Sequence, residues 1–165
     1  MRMSLRFVLL GVLSLAHLSA PAQAHDVAAG HLRIDHPWAR PTLSAAAPGA
    51  AYLVIENTGA ESDRLLRVEI PEAIAATAEI HETTEQGGIS QMRRLSDGIV
   101  VPAGSAVRFS PGGLHFMLLG LKDRLELGER FKGTLVFEKA GAVEVEFWVE
   151  QPSEGDQDDQ PHHHH

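Results

Sequence analysis

Cysteine is absent from all 165 residues, and that absence removes several kinds of chemistry at once. There is no thiolate nucleophile, no zinc–thiolate structural site and no His2Cys blue-copper centre. Disulfides are excluded too, and an exported domain of this size buries enough core to fold without them. Positive charge is in short supply: 14 Lys and Arg stand against 22 Asp and Glu, a formal net charge of −8 with His neutral. No basic stripe for nucleic acid can be drawn on such a chain. The acidic balance reads first as solubility and second as an attraction for cations. No Ser-His-Asp arrangement or paired-carboxylate motif stands out, so no enzyme is expected. Nor is there an amphipathic helix of ordinary length after the first 24 residues.

The one long apolar run, residues 7–18, follows Arg2 and Arg6 and is too short to span a membrane as a stable helix. Ala22-Gln23-Ala24 behind it is a small-x-small processing site. Residues 1–24 therefore read as a secretory signal, with the mature chain starting at His25 outside the cytoplasm. An uncleaved anchor is the competing reading, and no stable membrane insertion is expected after cleavage. The length then implies one domain with extensions: a β domain over residues 25–151 and an acidic, disordered tail over 152–165 that closes on His162, His163, His164 and His165.

Residues 25–30 are small and read as flexible. From His31 onward the chain is a series of short strands broken by Gly, Pro, Asn and Asp. Strands are expected over 51–56, 64–70, 76–84, 89–95, 99–102, 106–109, 114–119, 130–138 and 143–150. Gln86-Gly87-Gly88 makes a hairpin turn between the third and fourth of these. In the last, Val143, Val145, Phe147 and Val149 alternate with Glu144, Glu146, Trp148 and Glu150, the period of a half-buried antiparallel strand. Residues 71–78 are Ala-rich and could form a turn of helix. The whole reads as an all-β sandwich or barrel.

Of four methionines only Met92 and Met117 lie beyond the signal, and both sit beside histidines. Met92 follows His81 across the hairpin turn. Met117 stands two residues after His115, so both project from one face of a strand. Thioether sulfur is soft, cannot protonate and favours Cu(I), and imidazole suits copper among other metals. His81, Met92, His115 and Met117 thus make a neutral two-nitrogen, two-sulfur set suited to Cu(I). The plain alternative is that each Met fills a core and each His is structural. The hairpin joins His81 to Met92 and the strand joins His115 to Met117. That the two pairs meet is an expectation.

At these residues the chain resembles the periplasmic copper chaperones called PCu(A)C. Their pattern is His, ten residues, Met, about twenty-one residues, His-x-Met. Here residues 82–91 are the ten and residues 93–114 the longer spacer, one residue over the usual length. Further similar stretches are His36-Pro37-Trp38-Ala39-Arg40, Ala50-Ala51-Tyr52 through Asn57-Thr58-Gly59, Glu79-Ile80-His81-Glu82-Thr83 and residues 111–121. The resemblance covers about residues 34–149. It implies a cupredoxin-like antiparallel β-sandwich or Greek-key barrel in the periplasm, carrying Cu(I). It also implies delivery to the binuclear copper site of cytochrome c oxidase subunit II, with other copper chaperones as further partners.

His25 would be the mature N-terminus, where amine and imidazole together can chelate Cu(II). With Asp26 and the tail residues Asp156, Asp158, Asp159 and His162 to His165 it forms a second, Cu(II)-binding candidate. The four terminal histidines also read as an affinity-tag remnant. His31 and His36 read as structural or exposed. Two other functions stay open: a copper redox protein or oxygenase built on His25, and a β-sandwich interaction module without metal.

Overall fold

The computed structural model describes residues 26–152. Its eleven strands are β1 (Val27–Ala29), β2 (Leu32–Ala39), β3 (Gly49–Asn57), β4 (Asp63–Glu69), β5 (Ala75–Gln86), β6 (Ile89–Arg94), β7 (Ile99–Val101), β8 (Ser105–Phe109), β9 (Leu114–Leu121), β10 (Arg130–Phe137) and β11 (Ala142–Val149). There is no helix among the described residues, and every strand expected from the sequence is present. Two expectations need correction. Residues 27–29 are not free chain: they pair with Ile34, Arg33 and Leu32 of β2. Residues 71–78 make no helix, only a turn in which the Ile74 N–H donates to the Pro71 carbonyl, before β5 begins.

The strands form one open sheet in the order β6-β5-β9-β8-β3-β2-β11-β10-β4-β7, with β1 on β2 and β9 also on β3. Pairing is antiparallel except at two places, β11 against β2 and β8 against β9. The sheet coils over on itself. Phe116 of β9 meets Phe147 of β11 edge-on with ring centroids 6.2 Å apart. Three strand steps of a flat sheet would separate them by roughly 14 Å. Phe109 and Phe131 stack on the same pair, at 4.4 Å from Phe116 and 5.3 Å from Phe147.

The alternation along β11 is realised as expected: Val143, Val145, Phe147 and Val149 are buried. Gly133 on β10 makes room for this packing, because a Cβ there would stand 2.8 Å from the Phe147 ring. In β9 the same period puts Phe116 and Leu118 in the core and sends His115 and Met117 to the other face.

Candidate metal centre

The geometry starts at a two-residue turn. Gly87 and Gly88 have φ of 60° and 77°, the left-handed pair that a type I′ hairpin requires and that side-chain-bearing residues resist. This turn fixes the register of β5 with β6: Gln86 faces Ile89, Thr83 faces Met92 and His81 faces Arg94. On its other edge β5 pairs with β9, where His81 faces His115 and Glu79 faces Met117. Directly opposed residues share a face. Glu79, His81, Thr83, Met92, Arg94, His115 and Met117 therefore all lie on one face of the β6-β5-β9 layer.

The two histidines are brought together. Their ring centroids are 5.9 Å apart at an interplanar angle of 44°. With a metal–nitrogen bond of about 2.0 Å and about 1.1 Å from nitrogen to ring centre, two imidazoles sharing an ion have centroids roughly 5–6 Å apart. The observed separation falls in that range.

Each ring also has one nitrogen tied and one bare. The His115 Nδ1–H donates to the Gly113 carbonyl at 3.0 Å, and a carbonyl can only accept, so Nε2 keeps its lone pair. The His81 Nε2–H donates to Glu79 Oε2 at 2.9 Å. His81 Nδ1 is buried and has no hydrogen-bond partner among the described residues. A buried, unpartnered imidazole nitrogen calls for an explanation, and a metal bond is one that fits. Burial pushes the His115 imidazole below the usual histidine range and the neighbouring His81 adds to this, against an opposing pull from the Gly113 carbonyl. His115 is thus held neutral, as a ligand must be.

The methionines flank this pair. Met117 stands one diagonal step from His81 on β9 and is half-buried. Met92 stands one diagonal step from His81 on β6, at the other side, and is 54% exposed. In a flat sheet their Cα atoms would be roughly 16 Å apart. The pairing of β5 with β9 ends at Glu82 opposite Leu114, however. Residues 83–92 are a two-stranded ribbon, and such ribbons twist more than broad sheets. Met92 is therefore on the part of the face best able to fold toward the histidines. Among the described residues no three His, Asp or Glu side chains converge as a metal site; the other soft donors on this face are the two thioethers.

Glu79 was not anticipated as part of this arrangement. It faces Met117 in register, holds His81, and is ion-paired with Arg94 Nη1 at 2.9 Å through its other oxygen. Its position two residues before His81 was the available signal. His31 is exposed, and its carbonyl accepts from the Thr58 N–H and hydroxyl. His36 adopts φ 48°, pairs with Glu150 and meets Trp38 edge-on. Neither joins the face described. His25 and His162 to His165, the second copper candidate, lie outside the described residues, as do the expected signal and most of the expected tail.

The LpqE-like family model matches residues 32–149. A relative in Leifsonia xyli subsp. xyli, named as a lipoprotein, is 35% identical over 133 residues, 79% of this chain and 76% of its own length. Among solved structures, the copper-bound PCuAC domain from PmoF2 is 32% identical with a TM-score of 0.65, over 78% of this chain and 99% of that one. The Cu(I) form of DR1885 from Deinococcus radiodurans is 26% identical with a TM-score of 0.57, over 84% and 88%.

Proposed function

Since the chain belongs to the LpqE-like, PCuAC-type family, we propose that it is a copper chaperone that carries Cu(I) on His81, Met92, His115 and Met117. The observation that carries this reading is the histidine pair: two opposed imidazoles at 5.9 Å, each with one bare nitrogen, on a face that also bears the two methionines. Nitrogen and thioether donors are both neutral, so the set suits a monovalent soft ion better than a divalent hard one. A plain core role accounts poorly for Met92, which is 54% exposed.

Copper is cargo here, and the face is graded for release. His115 is 6% exposed while Met92 is open to solvent. An acceptor can displace the outer thioether first and the buried nitrogens last, by stepwise ligand exchange. The acceptor proposed is an envelope copper protein such as the binuclear copper site of cytochrome c oxidase subunit II, met in the periplasm after cleavage behind Ala24. The lipoprotein name of the Leifsonia relative supports an envelope location. Among the described residues no helix is long and apolar enough to cross a membrane. X-ray absorption of the Cu(I)-loaded chain should show mixed sulfur and nitrogen scattering. A first shell without sulfur would overturn the assignment.

A further inference from the structure

We propose that Glu79, itself held by Arg94, is a positioning residue for the copper site: its carboxylate fixes which nitrogen of His81 is offered to the ion. The inference rests on the copper reading above and adds to it a residue outside the ligand set.

Three observations carry it. Glu79 Oε2 accepts from His81 Nε2 at 2.9 Å, and a carboxylate cannot donate, so the proton of the neutral ring is on Nε2. The remaining nitrogen, Nδ1, is buried and unpartnered. In the neutral ring a proton there would bury a donor with no acceptor, which disfavours the other tautomer. Finally, the carboxylate is not free to wander. Its Oε1 forms an ion pair with Arg94 Nη1 at 2.9 Å, and Arg94 stands directly opposite His81 on β6. Two oxygens are thus committed to two neighbours in a strand-fixed frame.

The environment makes these contacts count. The side chains of Glu79 and His81 are only 16% and 13% exposed, so water competes weakly for the bond. A carboxylate behind a ligating imidazole fixes ring orientation and raises the basicity of the other nitrogen. His115 receives the same service from the Gly113 carbonyl, but a neutral carbonyl polarises the ring less than a carboxylate does. The pair is therefore asymmetric, with His81 Nδ1 the stronger donor. Arg94 is 60% exposed and lies two residues from Met92 on the same strand.

The test compares the wild-type chain with Glu79→Ala and Glu79→Gln. Nitrogen-15 NMR of the metal-free protein at fixed pH reads the His81 tautomer directly, and competition with a Cu(I) chelator reads affinity. Wild type should show a bare Nδ1 and a protonated Nε2. Glu79→Ala should mix the tautomers and weaken Cu(I) by about 10–100-fold, the usual effect of losing such a partner. Glu79→Gln keeps an acceptor, so it should hold the tautomer and lose less; it also serves if the alanine variant folds poorly. A wild-type His81 protonated on Nδ1, or a Glu79→Ala variant with unchanged tautomer and affinity within twofold, overturns the proposal. If wild type binds no Cu(I) while Glu79→Ala still mixes the tautomers, the copper reading fails and takes the metal half of the proposal with it.

Discussion

Replacing Met92 and Met117 together with Leu should separate copper binding from folding. Met92 is 54% exposed, so the swap there changes little buried surface and should shift stability by no more than about 0.5 kcal/mol. Met117 is half-buried, with Glu79 and Ala50 opposite it on the neighbouring strands. Leu nearly conserves its volume, and such exchanges usually cost less than about 1.5 kcal/mol. The sum, under about 2 kcal/mol, leaves a typical domain with about 5–15 kcal/mol of stability folded. Copper is affected differently, because Leu offers no lone pair. Losing a direct donor should weaken Cu(I) at least as much as losing an outer-shell partner, about tenfold or more per site, which is about 1.4 kcal/mol or more each. Urea unfolding of the metal-free protein and chelator competition for Cu(I) supply the two numbers. A folded double variant that keeps wild-type Cu(I) affinity within twofold would refute the ligand assignment and return both residues to ordinary packing.

Loading with Cu(I) should slow amide exchange in the ribbon of residues 83–92, because Met92 must close toward the histidines to join one ion; unchanged exchange on saturation would argue against that closure. His115 has a native pKa below its unfolded value near 6.5, so the unfolded chain binds the extra proton. Its contribution to stability should be complete above about pH 6.5 and decline as pH falls from there toward the lower native value, which urea titrations of wild type against His115→Gln will read as a flatter profile in the variant. Asp63 accepts from the N–H groups of Arg64, Lys139 and Ala140 at 2.7, 2.9 and 2.9 Å. Burial raises its pKa, yet these bonds outweigh burial and hold it below the carboxylate range. Asp63→Ala should cost about 1–3 kcal/mol at neutral pH for the donors left unsatisfied, and the wild-type advantage should fade below about pH 4 as the carboxylate protonates. Cu(II) uptake that is equal in the full mature chain and in a form starting after His31 and ending at Gln151 would remove the second copper site at His25 and the terminal histidines.

Much of the candidate centre was legible in the sequence, and the part that was not has a physical reason. The Gly87-Gly88 turn needs positive φ at both positions, which only one common hairpin geometry supplies. Once that turn is granted, its register follows, and with it Thr83 opposite Met92 and His81 opposite Arg94. Glu79 falls on the same face by the two-residue period, so its contact with His81 could have been suspected from spacing alone. The meeting of His81 with His115 could not. Strands β6, β7 and β8 intervene, and nothing local sets the register of a pairing between strands so far apart in sequence. That register comes from the core, where Ile80 and Phe116, facing each other across β5 and β9, are both buried. The same limit explains the strand pairing missed at Val27–Ala29, a segment of three residues, two of them alanine, that carries little β signal of its own. It explains the two parallel contacts as well, which no hairpin rule predicts.

The centre and the core are thus one feature of β9 seen from its two sides. Phe116 stands between His115 and Met117 in the chain, fully buried, stacked on Phe109 and edge-on to Phe147. Strand alternation then leaves His115 and Met117 no choice of face. A one-residue slip of β9 would put Phe116 on the opposite face and both His115 and Met117 in the core, so whatever anchors Phe116 also places the two proposed ligands. Phe116→Ala should therefore cost about 3–5 kcal/mol of stability and lower Cu(I) affinity in whatever fraction stays folded, although Phe116 carries no donor atom. A folded Phe116→Ala protein with wild-type affinity would mean that the other contacts between β5 and β9 hold the histidine register without Phe116.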